Sequence, residues 1–223
     1  MKRLFAYACS AAVLALAGAA SAQEISFNLG ATTDYVWRGV SQSDEEPAFS
    51  GGVDFTFGQF YAGTWASTVD FGDGTDGEWD FYLGVTPSGL GFDWDLGVTF
   101  YTYVGDPSGS DYDFTEFKVT AERSDGPITW GGEVHVSPEF TGGVGEAVYA
   151  QGNLAYEVAP NLSVSGAVGH QWVDTGDYFN WNAGVSYAFN DTFGLDLRYH
   201  DTDVHGWGDI FESRVVLSLT AGF

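Results

Sequence analysis

The sequence predicts an all-β fold: an antiparallel transmembrane β-barrel of about twelve strands, with short periplasmic turns and longer acidic extracellular loops. Three observations predict it. Apolar and polar residues alternate with period two along most of the chain. Short turns and longer, acidic connections alternate between successive strands. The polar positions of these strands carry more charge than a dry interior tolerates.

The first segment is not part of that pattern. Met1-Lys2-Arg3 is a short basic start, the run from Leu4 to Ala20 is apolar, and Ala20-Ser21-Ala22 is the small-residue pattern of a signal peptidase site. Residues 1–22 therefore read as a cleaved secretory signal peptide and residues 23–223 as the barrel. The run is too short and alanine-rich for a spanning helix. Cys9, the one cysteine, lies in this segment without a lipobox (Ala6-Tyr7-Ala8-Cys9), so disulfides, thiol redox chemistry and a lipid anchor are not expected.

Beyond residue 22, strands are expected at 24–38, 48–57, 60–70, 78–86, 92–104, 112–122, 128–137, 147–158, 162–172, 178–189, 193–200 and 213–223. The reasoning is the same for each. In the first, Ile25, Phe27, Leu29, Ala31, Tyr35 and Trp37 alternate with Glu24, Ser26, Asn28, Thr32 and Asp34. In the tenth, Phe179, Trp181, Ala183, Val185, Tyr187 and Phe189 alternate with polar or small residues. Successive strand side chains point to opposite faces, so such runs make one apolar and one polar face. In the sixth, Tyr112 and Phe114 are out of phase with Phe117, Val119 and Ala121, which predicts a bulge.

The turns Gly58-Gln59, Pro87-Ser88-Gly89, Ser124 to Pro127, Pro160-Asn161 and Asn190-Asp191 are short. The connections Ser41–Glu46, Asp70–Glu78, Gly105–Asp111, Ser137–Gly145 and His200–Asp209 are longer and acidic, and Asp174–Asp177 is shorter. An even strand count would leave both termini in the periplasm.

Alternation alone does not say which face is outside, because soluble barrels and sandwiches also show it. Three features favour lipid on the apolar side. Phe223 ends the chain after Ala221, Leu219, Leu217 and Val215; Phe223, Leu219 and Leu217 resemble the C-terminal signal read by the barrel-assembly machinery. Aromatics such as Trp37, Trp79, Phe81, Trp172, Phe179, Phe189 and Phe193 lie near strand ends, as interfacial girdles require. The opposite face carries Asp34, Arg38, Asp54, Asp80, Asp93, Asp95, Glu116, Lys118, Glu122, Glu133, Glu157, Asp196, Arg198 and Arg214, which a wet lumen solvates.

Composition narrows the function. With 31 Asp and Glu against 7 Lys and Arg, the formal charge is −24. Such a surface repels phosphates and excludes nucleic-acid binding. The 8 Trp, 12 Tyr and 18 Phe argue against acidic disorder.

The segment Asp34-Tyr35-Val36-Trp37-Arg38-Gly39-Val40-Ser41-Gln42-Ser43, with Pro47-Ala48-Phe49 and Tyr61-Ala62-Gly63-Thr64-Trp65-Ala66-Ser67, resembles the TorF family of proteobacterial porin-like proteins. The resemblance is strongest over residues 30–70. It implies an outer-membrane barrel in a Gram-negative bacterium and a porin-like role.

The residues expected to line the lumen are Asp34, Arg38, Asp54, Asp80, Asp93, Asp95, Lys118, Glu133, Arg198 and Arg214. Arg38, outside the leader the one basic residue before Lys118, is expected at the extracellular end of the first strand. There it either sets charge preference or pairs with Asp34, Asp54 or Asp80 to hold the barrel. Inward tyrosines (Tyr82, Tyr101, Tyr103, Tyr149, Tyr178) either form a sugar-binding strip or fill the lumen. His200-Asp201-Thr202-Asp203-Val204-His205 and the loop Asp70–Glu78 hold ligand-type residues but match no zinc or EF-hand register, so no metal site is assigned. His135, His170, His200 and His205 lack a G-x-S-x-G elbow, so no enzyme and no cofactor are expected.

The resulting expectation is a narrow channel for passive diffusion of small hydrophilic solutes, preferring cations, with outer-membrane lipid and lipopolysaccharide around it. The rival expectation is a closed structural or adhesion-type barrel whose acidic loops bind divalent cations or envelope partners.

Overall fold

A computed structural model describes residues 23–223; the expected leader, its cleavage site and Cys9 lie outside the described residues. The barrel strands are β1 (Gln23–Thr32), β2 (Ala48–Phe57), β3 (Phe60–Thr68), β4 (Gly77–Val85), β5 (Phe92–Val104) and β6 (Phe114–Asp125). They continue as β7 (Ile128–Ser137), β8 (Ala147–Ala159), β9 (Leu162–Val173), β10 (Tyr178–Ala188), β11 (Phe193–Thr202) and β12 (Arg214–Gly222). Every strand pairs antiparallel with its sequence neighbours, and β12 returns to β1 from Asn28↔Gly222 to Thr32↔Ser218. Phe223 extends that seam: its N–H donates to the Phe27 carbonyl at 2.9 Å, and the Phe27 N–H donates to the Phe223 carbonyl at 3.0 Å. No sheet edge remains, so the backbone polar groups are satisfied within the closed ladder, as a lipid-embedded sheet requires.

The two ends differ as expected. Gly58-Gln59, Gly126-Pro127 and Pro160-Asn161 are two-residue turns at one end, where residues 86–91 and 189–192 also reverse the chain. At the other end lie residues 33–47, 69–76, 105–113, 138–146, 174–177 and 203–213.

The apolar face is outside. Ile25, Phe27 and Leu29 of β1, Trp79, Phe81 and Leu83 of β4, and Val215, Leu217, Leu219 and Phe223 at the C-terminus are all exposed. Asp54, Glu78, Asp80, Glu116, Gln171, Asn180, Asp196 and Arg198 are buried. An oil-out, charge-in arrangement is stable only where lipid covers the outside and water or ion pairs serve the inside.

Two local expectations are corrected. The first strand does not run to residue 38: it ends at Thr32, and residues 33–47 turn into the barrel. Tyr35 and Trp37 therefore pack inside rather than on the lipid face. The bulge expected in the sixth strand is absent. Register is continuous from Asp93↔Glu122 to Tyr101↔Phe114, and Phe114 faces inward at 6% exposure while Phe117 faces outward. The phase break arises because Tyr112 belongs to the preceding loop and Phe114 joins an interior aromatic cluster. A register shift occurs instead at Glu157/Ala159 on β8.

Candidate functional site

The interior is crossed by a small hairpin in which Val36–Trp37 pairs with Val40–Ser41. Its tip residues Arg38 (φ 49°) and Gly39 (φ 82°) both have positive φ, the requirement of a type I′ turn, whose twist suits a two-residue hairpin. At the base, the Tyr35 N–H donates to Ser43 Oγ at 2.9 Å and the Gln42 N–H to the Tyr35 carbonyl at 2.6 Å. Asp34 ties the base to the wall. Its Oδ1 accepts from Ser41 at 2.6 Å and Ser43 at 3.1 Å, and its Oδ2 pairs with Arg214 Nη1 at 2.8 Å.

The hairpin reaches the opposite wall. Arg38 donates Nη1 and Nη2 to the two oxygens of Glu116 on β6 at 2.9 and 2.8 Å, and Nη1 to Gln171 Oε1 on β9 at 2.9 Å. Its guanidinium carbon lies 4.2 Å from the Trp37 and Tyr149 ring centroids. The Arg38 and Glu116 side chains are 5% and 2% exposed, so this is a desolvated bidentate pair. Burial works against the Arg38 charge, but the Glu116 carboxylate outweighs it and raises the guanidinium pKa above its ordinary value. Trp37 stacks on Phe140 (6.1 Å, 20°), and Phe114 stacks on Tyr101 (4.3 Å, 6°). Gly39 sits so close to the wall that a Cβ there would lie 2.8 Å from Asn180 Cβ and Thr202 Cγ2.

On the other flank, Tyr35 packs on Ala48 and Val69, meets Trp65 edge-on at 5.6 Å, and donates its hydroxyl to Glu78 Oε1 at 3.3 Å. Burial, reinforced by Glu78, pushes the Tyr35 phenol well above the usual tyrosine range.

Toward the short-turn end the interior holds further ion pairs. Lys118 Nζ lies 2.7 Å from Asp95 Oδ2, and Arg198 Nη2 lies 3.0 Å from Asp196 Oδ2. Asp54 accepts from the Tyr82 hydroxyl at 2.5 Å and from Asn28 at 3.3 Å, with no basic partner. Nearer the long-loop end, His135 stands 3.5 Å from both Glu116 and Glu133.

Each expected interior residue can now be placed. Asp34, Asp54, Asp80 and Arg198 are buried, as is the side chain of Arg38; Asp95, Lys118, Glu133 and Arg214 are partly buried inside; Asp93 lies at the short-turn rim, accepting from Ser88 Oγ at 2.6 Å. Arg38 pairs with none of Asp34, Asp54 or Asp80. Its partners Glu116, Gln171 and Tyr149 were missed as a set because only the inward fold of residues 33–47 brings them together. The five inward tyrosines are spread over β4, β5, β8 and β10, and each packs on neighbours instead of forming a strip.

In the two ligand-like loops several of the candidate ligands already have partners. His205 Nε2 lies 2.7 Å from Asp201 Oδ1, Tyr199 donates to Asp201 Oδ2 at 2.7 Å, and Asp203 Oδ1 accepts the Phe179 N–H at 2.8 Å. That hydrogen bond to Asp201 raises the His205 pKa. In the other loop, Asp73 accepts from the Thr75 N–H and the Tyr112 hydroxyl, which hold its carboxyl below the ordinary value. Among the described residues no group of three or more His, Cys, Asp or Glu is arranged to hold a metal ion.

These features define a class: a closed twelve-stranded antiparallel barrel, apolar outside, charged inside and constricted by an inward loop. The chain belongs to the Gcw_chp family, a bacterial protein family of unknown function, whose model matches residues 16–220. A search among curated proteins found no match. Among solved structures the fold is similar to the KdgM porin (TM-score 0.64, 8% identity, covering 89% of this chain and 99% of that one). It is also similar to the NanC porin (0.56, 9%, 89% and 98%) and to an outer membrane channel from Pseudomonas putida (0.51, 10%, 91% and 94%). At these identities the likeness is one of fold.

Proposed function

We propose that the protein is a narrow outer-membrane channel for passive diffusion of small hydrophilic solutes, preferring cations, in a Gram-negative bacterium. The observation that carries the charge preference is the pairing of the interior bases. Arg38, Lys118, Arg198 and Arg214 are held by Glu116, Asp95, Asp196 and Asp34, whereas Asp54, Glu78 and Asp80 have no Lys or Arg partner among the described residues. A lumen with surplus carboxylate in low-dielectric walls concentrates cations and repels anions.

One of the KdgM structures is described as a complex with oligogalacturonate, a polyanion. Shared fold does not carry that solute here, because among the described residues Arg38, Lys118, Arg198 and Arg214 of the interior are each paired with a carboxylate and none is free to receive a carboxylated sugar. The resemblance of residues 30–70 to the TorF family supports the porin-like role. We read the protein as a channel and not as an enzyme, on the strength of its porin-like fold. Its belt contacts outer-membrane lipid and lipopolysaccharide, and the outward Phe223, Leu219 and Leu217 are the residues the assembly machinery would read.

The test is the reversal potential of the refolded protein in a planar bilayer under a potassium chloride gradient. A potential of the sign set by potassium permeation is expected; one set by chloride overturns the charge preference. A second reading, the closed barrel, is favoured by the hairpin wedged against Asn180 and Thr202. A folded wild-type protein without conductance, with conductance appearing on removal of residues 35–42, would decide for it.

A further inference from the structure

We propose that Glu78 and Asp80 form a binding site for a divalent cation of the calcium class, which fastens the inward hairpin to β4. The two residues are two apart on β4 and both face the interior, at 3% and 7% exposure. Paired carboxylates on one strand face would not by themselves make a site. The second observation is that Asp80 Oδ1 is fully buried and has no hydrogen-bond partner. An ionised oxygen in that state is costly, and native structures rarely leave one so.

Among the described residues no Lys or Arg pairs with Glu78 or Asp80. Cross-strand neighbours of Asp80 are Trp65 on β3 and Tyr101 on β5; those of Glu78 are Ser67 and Tyr103. Arg38, which the hairpin carries into the interior, is committed to Glu116. One Glu78 oxygen accepts from Tyr35 at the hairpin base, which orients the carboxylate. Two carboxylates supply a charge of −2 and up to four oxygens, a hard donor set that suits a divalent ion with flexible coordination. Magnesium fits less well, because it dehydrates reluctantly and demands near-ideal octahedral geometry. With two carboxylates only, binding belongs in the weak range of about 0.1–1 mM typical of extracellular calcium modules. The site stands on the inward placement of Glu78 and Asp80 and not on conduction, so it can be tested separately from the channel reading.

Trp65, Tyr101 and Tyr103 line the site, so terbium bound there would emit by energy transfer from them. The experiment uses the full mature chain refolded in detergent, stripped with a chelator, then titrated with terbium under ultraviolet excitation and displaced with calcium. Saturable emission that calcium displaces is expected in the wild type. At least a twofold loss is expected in Asp80→Asn, Glu78→Gln and Trp65→Phe, with emission retained in Asp73→Asn, which alters only an exposed loop. Calcium should also raise the thermal unfolding midpoint of the wild type by several degrees and leave that of Asp80→Asn unchanged. Asp80→Asn is nearly isosteric and removes an uncompensated charge, so without calcium it should fold at least as well as the wild type. Equal emission in the wild type and Asp80→Asn, with loss in Asp73→Asn, would assign the ion to the loops and overturn the site. So would a wild-type midpoint that responds to acid but not to calcium, because the pair then shares a proton.

Discussion

Replacing Arg38 by alanine tests whether the hairpin is the constriction. Arg38 and Glu116 are 5% and 2% exposed and joined by two hydrogen bonds of 2.9 and 2.8 Å. Removing one partner of a buried pair costs about 3–5 kcal/mol, mostly because the other charge is left uncompensated. That cost falls on docking of the hairpin and not on the twelve-strand ladder, whose hydrogen bonds do not involve residues 35–42. At about 1.4 kcal/mol per decade, docking weakens by about 100- to 4,000-fold. The tip also loses its contacts with Trp37 and Tyr149. Single-channel conductance in a planar bilayer should therefore rise, while heat modifiability on gels shows the barrel still folded. Because Glu116 is freed, cation preference should strengthen as well. The double variant Arg38→Ala/Glu116→Ala should be less destabilised than the two single losses combined, since neither charge is then stranded. Unchanged conductance in a folded Arg38→Ala protein would refute the assignment of the hairpin as the narrowest point.

The remaining predictions address other links. Gly39→Val should open the channel in the same direction, because a φ of 82° costs a non-glycine residue about 1–2 kcal/mol and the new side chain meets Asn180 and Thr202; conductance measures it. Val168→Arg, on the outward face midway along β9, should destabilise the barrel by about 2–4 kcal/mol in denaturant titrations of protein folded into vesicles; no loss would mean that this face does not meet lipid. The loop 203–213 should be more resistant to proteolysis at pH 5.5 than at pH 8.5. His205 has a raised pKa beside Asp201, so its contribution is complete below the unfolded value of about 6.5 and fades as pH rises through the folded value. His205→Ala should abolish that difference.

Much of this was legible in the chain. The period-two pattern located all twelve strands, since strand side chains must alternate faces and only one face can meet lipid. The charges at Asp54, Asp80, Asp95, Lys118, Glu133 and Arg198 were placed inside by parity alone, because burying them against lipid is prohibitive. The glycine after Arg38 was visible too, but its meaning was not. Asp34 to Trp37 continue the alternation of β1 so well that they read as more strand, and nothing local marks the departure at Thr33.

Sequence by itself thus determined the barrel, its strand count and the alternation of an apolar with a polar face, all of which follow from local periodicity and the cost of charge in hydrocarbon. Only the tertiary structure decided that residues 33–47 fold inward, that Arg38 meets Glu116 across the lumen, and that Asp80 Oδ1 is buried without a hydrogen-bond partner among the described residues. Those outcomes depend on contacts between segments far apart in the chain, such as the hairpin of residues 33–47 with β6 and β9, where closure of the barrel and not local pattern sets which side chains meet.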